Sequence, residues 1–171
     1  KNLNNFIKNI NIIIDTKNFF TLTLSVKKNN NNETVNSKFL NYLLKDAINQ
    51  CEKTIENKQI VHFIIDNYVL DGISYDNLPS DIKCENFSLD VRFICLSVNY
   101  VKRIEESFKK YQISINQLLS ADYLKSFFSE KESDFFKTAF KIIDGYNRNE
   151  VRIVNKTPKN KGFFEKFFDF F

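Results

Sequence analysis

Glycine, histidine and methionine are scarce in this sequence of 171 residues, which holds three glycines, one histidine and no methionine. A phosphate-binding loop needs closely spaced glycines, whereas Gly72, Gly145 and Gly162 lie far apart in the chain. The single histidine and three cysteines without CxxC spacing give no metal-ligand pattern. No serine lies in the context of a nucleophile elbow. We therefore expect a protein that is not an enzyme and uses no cofactor.

Long apolar runs are also lacking. No stretch of 18 apolar residues occurs, so no transmembrane helix is predicted, and polar residues interrupt the run that an N-terminal signal peptide would need. Because even position 1 is not methionine, we expect a fragment or a chain trimmed at its start. The three cysteines, Cys51, Cys84 and Cys95, are expected to be free thiols in a reducing compartment.

The net charge of +4 is concentrated near the C-terminus. Residues 145–161 contain five basic residues and a single acidic one, Glu150, so this stretch carries as much net charge as the whole chain. Its last part has no periodicity and contains Pro158, which is typical of a linker. The mild overall charge does not indicate a nucleic-acid partner, and Arg92 and Arg103 lack the interleaved aromatic residues expected for single-strand binding.

The last nine residues, 163–171, contain six phenylalanines, and a helix turning about 100° per residue places all six on one face. At about 1.5 Å per residue this helix is too short to span a bilayer, but it can lie in the interface with its rings among the acyl chains. A terminal helix docked on its own domain is the alternative. The residues predicted to bind the membrane are Lys159, Lys161, Phe163, Phe164, Lys166, Phe167, Phe168, Phe170 and Phe171.

Apolar periodicity predicts the elements of the rest of the chain. Strands are predicted at residues 10–14, 20–26, 60–65, 68–70, 88–97 and 113–115. A helix capped by Thr34 or Asn36 is predicted at 37–57. A second helix is predicted to begin after its cap Asn99 and to bury Val101, Ile104, Phe108 and Tyr111. Two more helices are predicted at 118–128 and 135–143. Residues 27–32 are predicted as a loop and residues 73–86 as an irregular excursion.

This order predicts an α+β fold, a small antiparallel sheet with two or three helices packed on one face. Strands that follow each other through short connections are expected to pair. The predicted organisation is an α+β interaction domain at 1–128, a helical extension at 129–146, a flexible basic linker at 147–161 and an amphipathic membrane-targeting helix at 162–171.

The stretch from His62 to Gly72 carries a resemblance to a known family. His62 lies in an apolar run, where a hydrogen-bonded structural histidine is expected, and Asp71 before Gly72 is expected to form a turn. With Tyr68 these residues match the order His-x-x-Pro-x-x-Tyr/Phe-x-x-Asp-Gly, in which Ile65 replaces the proline. The stretch resembles that of the bacterial cell-division protein FtsA.

Other segments resemble the same family in the same order. Residues 89–94 are similar to its Leu-Glu-Val-x-Val-His strand without the final histidine, and Gln112 stands where its Gly-Leu-x-Val step has glycine. The excursion keeps only Asn77 and Pro79 of the family's pattern. Residues 161–171 resemble the family's membrane-targeting helix on its basic linker. The resemblance covers residues 10–124 and the C-terminal segment.

This resemblance implies the small inserted SHS2-type domain of FtsA, without its actin-like ATP-binding subdomains and its FtsZ-binding subdomain. The implied function is a non-catalytic division scaffold, peripheral on the cytoplasmic face of the membrane at the division site. The implied partners are membrane lipids, FtsA-like neighbours and late division proteins, with FtsZ reached only indirectly. Two alternatives stay open: a soluble interaction domain related to PilM of the type IV pilus, whose Phe helix covers a core groove, and a degenerate FtsA remnant without independent activity.

Overall fold

The computed structural model describes residues 6–79, 81–129 and 133–152. Within them lie six strands and four helices: β1 (Asn9–Ile14), β2 (Phe20–Thr34), α1 (Ser37–Thr54), β3 (Lys58–Leu70), β4 (Ile73–Tyr75), β5 (Lys83–Ser97), α2 (Val98–Lys109), β6 (Ser114–Ser120), α3 (Ala121–Lys125) and α4 (Phe135–Ile143). The contacts divide the chain into two units. The first takes its described residues from 6–21, 56–62 and 94–147, and the second takes them from 22–55, 63–93 and 148–152.

The second unit contains α1 and the greater part of a four-stranded sheet with the order β2-β5-β3-β4. Tyr68 opposes Tyr75 in the antiparallel pair of β3 and β4. Helix α1 begins where the Asn36 side chain accepts a hydrogen bond from the Phe39 N–H at 3.0 Å, as expected for an N-cap. The apolar face predicted for this helix is buried: Leu40, Leu43, Leu44, Ala47, Ile48 and Cys51. The fold is therefore α+β, with a small antiparallel sheet and a few helices.

The first unit contains β1, β6 and the helices α2, α3 and α4. Strand β1 pairs with β6 in parallel, and Ile12 opposes Leu118 in this pair. A small core of Ile14, Leu96 and Val101 lies beside the pair. The expectation that neighbouring strands along the chain pair antiparallel is wrong for β1. It pairs with a strand about a hundred residues away, which apolar alternation within either strand does not encode.

Three other sequence predictions need correction. Residues 27–32 are not a loop, because β2 continues through them beside β5, where Val26 and Asn30 are buried. Residues 73–86 are not wholly irregular, because they contain β4 and the start of β5 at Lys83. Residues 118–120 belong to β6, so the predicted helix 118–128 is reduced to α3, which Ser120 caps by accepting a hydrogen bond from the Tyr123 N–H at 3.4 Å.

Helix α2 also differs from its prediction. It begins at Val98 and follows Ser97, so Asn99 lies inside the helix and does not cap it. Val101 is buried as predicted, but Tyr111 lies beyond the end of the helix and is 75% exposed. Helix α4 has the bounds that its apolar pattern predicted. Helix α1 ends three residues earlier than predicted, because Ile55 has φ −109° and ψ 100°, in the extended region.

The turn predicted at Asp71 and Gly72 is confirmed. It joins β3 to β4, and its two residues have φ values of +48° and +86°. A positive φ at both central residues is what a type I′ hairpin turn requires. The Asp71 carboxylate accepts hydrogen bonds from the N–H groups of Asn86 at 2.7 Å and Glu85 at 3.1 Å. The side chain therefore joins the turn to the start of β5.

Replacing Asp71 with alanine should lower the free energy of unfolding by about 1–2 kcal/mol, because two backbone N–H groups lose a charged acceptor and alanine resists a positive φ. Urea denaturation followed by circular dichroism measures this change. Glu85→Ala is the matched control, since it removes a neighbouring carboxylate and leaves both backbone donors in place. Equal unfolding curves for the two variants would contradict the role assigned to the Asp71 side chain.

A short segment after α4 pairs with β3 in the second unit. The Ile65 N–H donates to the Asn149 carbonyl at 2.8 Å and the Val151 N–H donates to the Phe63 carbonyl at 2.8 Å. Between them Ile64 and Glu150 form an antiparallel bridge. The first residues of the linker predicted at 147–161 are thus hydrogen-bonded to a strand, and the rest of that linker from residue 153 lies outside the described residues.

Tyr68 lies beside this segment and is buried. Its hydroxyl donates a hydrogen bond to Asn149 Oδ1 at 3.3 Å, and burial raises its pKa to about 12 from the usual value of 10.0. Between pH 10 and 12 the unfolded chain loses this proton while the folded chain keeps it, so stability should fall as pH rises through that range. Urea midpoints measured at several alkaline pH values should show a shallower fall for Tyr68→Phe. An equal fall in both proteins would contradict this prediction.

Candidate functional site

The residues predicted to bind the membrane all follow Arg152 and lie outside the described residues. They are Lys159, Lys161, Phe163, Phe164, Lys166, Phe167, Phe168, Phe170 and Phe171. The described part of the chain contains no helix long and apolar enough to cross a bilayer. The candidate site that the structure does describe must therefore be found among residues 6–152.

His62, the residue that opens the matched stretch, is structural as predicted. It is 2% exposed, and its Nε2 accepts a hydrogen bond from the Ser120 N–H at 3.0 Å. Its ring centroid lies 4.2 Å from that of Tyr123, whose hydroxyl accepts a hydrogen bond from the Asn147 side chain at 2.9 Å. His62 thus links β3 to the junction of β6 and α3.

Three charged side chains of the sheet in the second unit bond to side chains of neighbouring strands. Arg92 forms an ion pair with Asp66 at 2.8 Å. Asp90 accepts hydrogen bonds from Ser25 at 2.6 Å and from Asn67 at 3.4 Å. This row of side chains crosses three strands and holds them in register, in the manner of cross-strand pairs. It is a structural ladder.

Metal-binding clusters are not found among residues 6–79, 81–129 and 133–152. No group of three or more His, Cys, Asp or Glu side chains there is placed to hold a metal ion. The three cysteines are buried thiols outside any disulfide, as predicted. Burial raises the pKa of the Cys84 thiol, which favours the less reactive neutral form.

The candidate site is an apolar groove in the first unit, with a volume of about 600 Å³. Ile10, Ile12 and Ile13 of β1 line one side, and Phe136 and Phe140 of α4 line another. The polar members of its lining are Asn11 and Asp15. A pocket of this volume and apolar lining is in the range that binds apolar ligands or side chains. We call this feature the apolar groove.

The two phenylalanines of α4 are held at the groove by the way the helix begins and packs. The Asp134 side chain accepts hydrogen bonds from the N–H groups of Phe136 at 2.8 Å and Lys137 at 3.1 Å, which fixes the first turn. Thr138, Ala139 and Ile142 face inward. Phe136 and Phe140, four residues apart and therefore on one side of the helix, are 73% and 65% exposed.

Exposed rings on a regular, capped helix indicate a surface for contact with another apolar segment. The sequence predicted α4 but not this surface. A signal was present, because the apolar residues of α4 span an arc of about 160° at 100° per residue, with Phe136 and Phe140 at one edge of it.

No protein family matches the chain. No curated protein matches it either. The function must therefore be argued from the residues and from the resemblance described above.

Proposed function

We propose that this chain is a non-catalytic scaffold of the FtsA type, attached to the cytoplasmic face of the membrane at the division site. The observation that carries the proposal is the C-terminal sequence, in which six phenylalanines fall on one face of a predicted helix directly after a basic stretch. Partial burial of six rings gives a net membrane affinity on the order of several kcal/mol, which is reversible attachment. Each lysine near an anionic leaflet adds about 1 kcal/mol.

The α+β domain supplies the protein-contact part of the proposal. The matched positions His62, Tyr68, Asp71 and Gly72 are a buried hydrogen-bonded histidine, a buried tyrosine and a hairpin turn. Such structural roles support a resemblance of fold, of the SHS2 type, rather than a shared ligand site. The proposed partners are membrane lipids, FtsA-like neighbours and late division proteins.

A fluorescent fusion of the full chain in dividing rod-shaped bacteria tests the localisation. The proposal predicts a band of fluorescence at the membrane of the division site. The same fusion with serine at Phe167 and Phe168 should be diffuse, because the apolar face loses two rings. A band that persists in the serine variant, or a diffuse native fusion, would contradict the proposal.

The apolar groove favours a second candidate, a soluble interaction domain whose Phe-rich segment covers the groove permanently. This candidate predicts that removal of residues 162–171 lowers the melting temperature strongly, because a buried face becomes exposed, and that no lipid binding exists to be lost. Thermal unfolding of the full and shortened chains therefore separates the two functions.

A further inference from the structure

We propose that the apolar groove is the docking site for this chain's own C-terminal segment, residues 163–171, whenever that segment is not in a membrane. The groove lined by Phe136 and Phe140 thus acts as a latch that competes with lipid for the same six phenylalanines. The lipid-bound state in this inference rests on the proposed function, but docking in the absence of lipid does not.

The spacing of the phenylalanines in the segment is that of a helix that binds an apolar groove. An amphipathic helix binds a groove through anchors at positions i, i+4 and i+7, and Phe163, Phe167 and Phe170 have that spacing. β1 contributes three isoleucines to the lining of the groove, and α4 contributes two exposed phenylalanine rings. Its volume of about 600 Å³ admits anchor side chains but not a whole helix. The helix would therefore lie along the groove with its three polar residues outward.

The chain is long enough for this docking. Nine residues separate Arg152 from Ile143, the last α4 residue that lines the groove, so these two lie no more than about 32 Å apart. The linker from Arg152 to Phe163 spans eleven residues and reaches up to about 40 Å when extended. Chain length alone therefore allows the segment to return to the groove of its own molecule.

Docking and membrane insertion exclude each other, since both bury the same rings. If the segment is docked in about nine of ten molecules, its apparent affinity for vesicles is reduced about tenfold. A substitution in the groove that releases the segment should therefore increase vesicle binding. If the groove were only a structural surface, the same substitution would not change vesicle binding. The latch makes membrane attachment depend on whatever else occupies the groove.

The test is paramagnetic broadening in the full chain without lipid. A nitroxide is attached at Gly162→Cys, since the three native cysteines are buried. The proposal predicts that amide signals of β1 and α4 are broadened. The signals should recover in a chain that also carries Phe163→Ser, Phe167→Ser and Phe170→Ser. Unbroadened β1 and α4 signals would overturn the proposal.

Two groove variants complete the test. Phe136→Ser with Phe140→Ser should abolish the broadening and tighten binding to anionic vesicles about tenfold. Phe6→Ser with Tyr111→Ser, which removes two exposed rings of the same unit outside the groove lining, should change neither. Broadening that appears only between molecules, in mixtures of nitroxide-bearing and isotope-bearing chains, would contradict docking within one molecule. If broadening occurs but the full chain binds no vesicles, the latch stands and the proposed function fails.

Discussion

Exchanging Phe164 with Glu165 and Phe168 with Asp169 should weaken binding to anionic vesicles by about 100-fold, although composition and net charge stay the same. In the native order the six rings occupy an arc of about 160° on a helix, whereas after the exchange they are spread around the whole circumference. A helix lying in the membrane interface can bury only one face. Vesicle sedimentation over a range of lipid concentrations measures the two affinities.

The control for this exchange is the lipid charge. Both chains keep Lys159 and Lys161, so both should lose a similar factor when anionic vesicles are replaced by neutral ones. The exchange should act equally in either lipid, because it alters the apolar face only. Affinities within about threefold of each other for native and exchanged chains would show that the face does not drive binding.

Replacing His62 with alanine should lower the free energy of unfolding by about 3–4 kcal/mol, a large fraction of the stability of a small domain. The change leaves a cavity beside Tyr123 and removes the acceptor of the buried Ser120 N–H. A buried donor without a partner costs about 1–3 kcal/mol. Urea denaturation followed by circular dichroism gives the difference.

Two further variants separate the packing of His62 from its hydrogen bond. His62→Gln can place an amide oxygen near the position of Nε2 and should recover part of the loss. His62→Leu fills most of the space but offers no acceptor, so it should recover the cavity part of the loss and keep the cost of the unpaired Ser120 N–H, about 1–3 kcal/mol. If all three variants lose less than about 1 kcal/mol, the hydrogen bond to Ser120 does not stabilise the fold.

Those parts of the fold that depend on neighbouring residues could be predicted from the sequence. Helix α4, the buried face of α1 and the turn at Asp71 and Gly72 each follow from periodicity or turn chemistry within a few residues. Parallel pairing of β1 with β6 could not be predicted, because the two strands are distant in the chain and no local pattern specifies their register. The polar second half of β2 was not predicted as a strand for a related reason, because its pairing with β5 is not visible in its own composition.

The same distinction between local and distant residues decides which parts of the candidate site could be predicted. His62 was correctly predicted to be structural, but its partner, the Ser120 N–H, lies 58 residues further along the chain and leaves no trace in the sequence. The apolar groove depends on Phe136 and Phe140 facing β1, which requires the tertiary fold. The C-terminal segment remains a sequence prediction, since it lies outside the described residues.

Flotation with anionic vesicles of the full chain and of a chain that ends at Lys161 tests membrane attachment most directly. The full chain should rise with the vesicles, and the shortened chain should stay in the dense fraction with an unchanged circular dichroism spectrum. If both chains float to the same extent, or neither floats, the phenylalanine face does not attach this protein to a membrane.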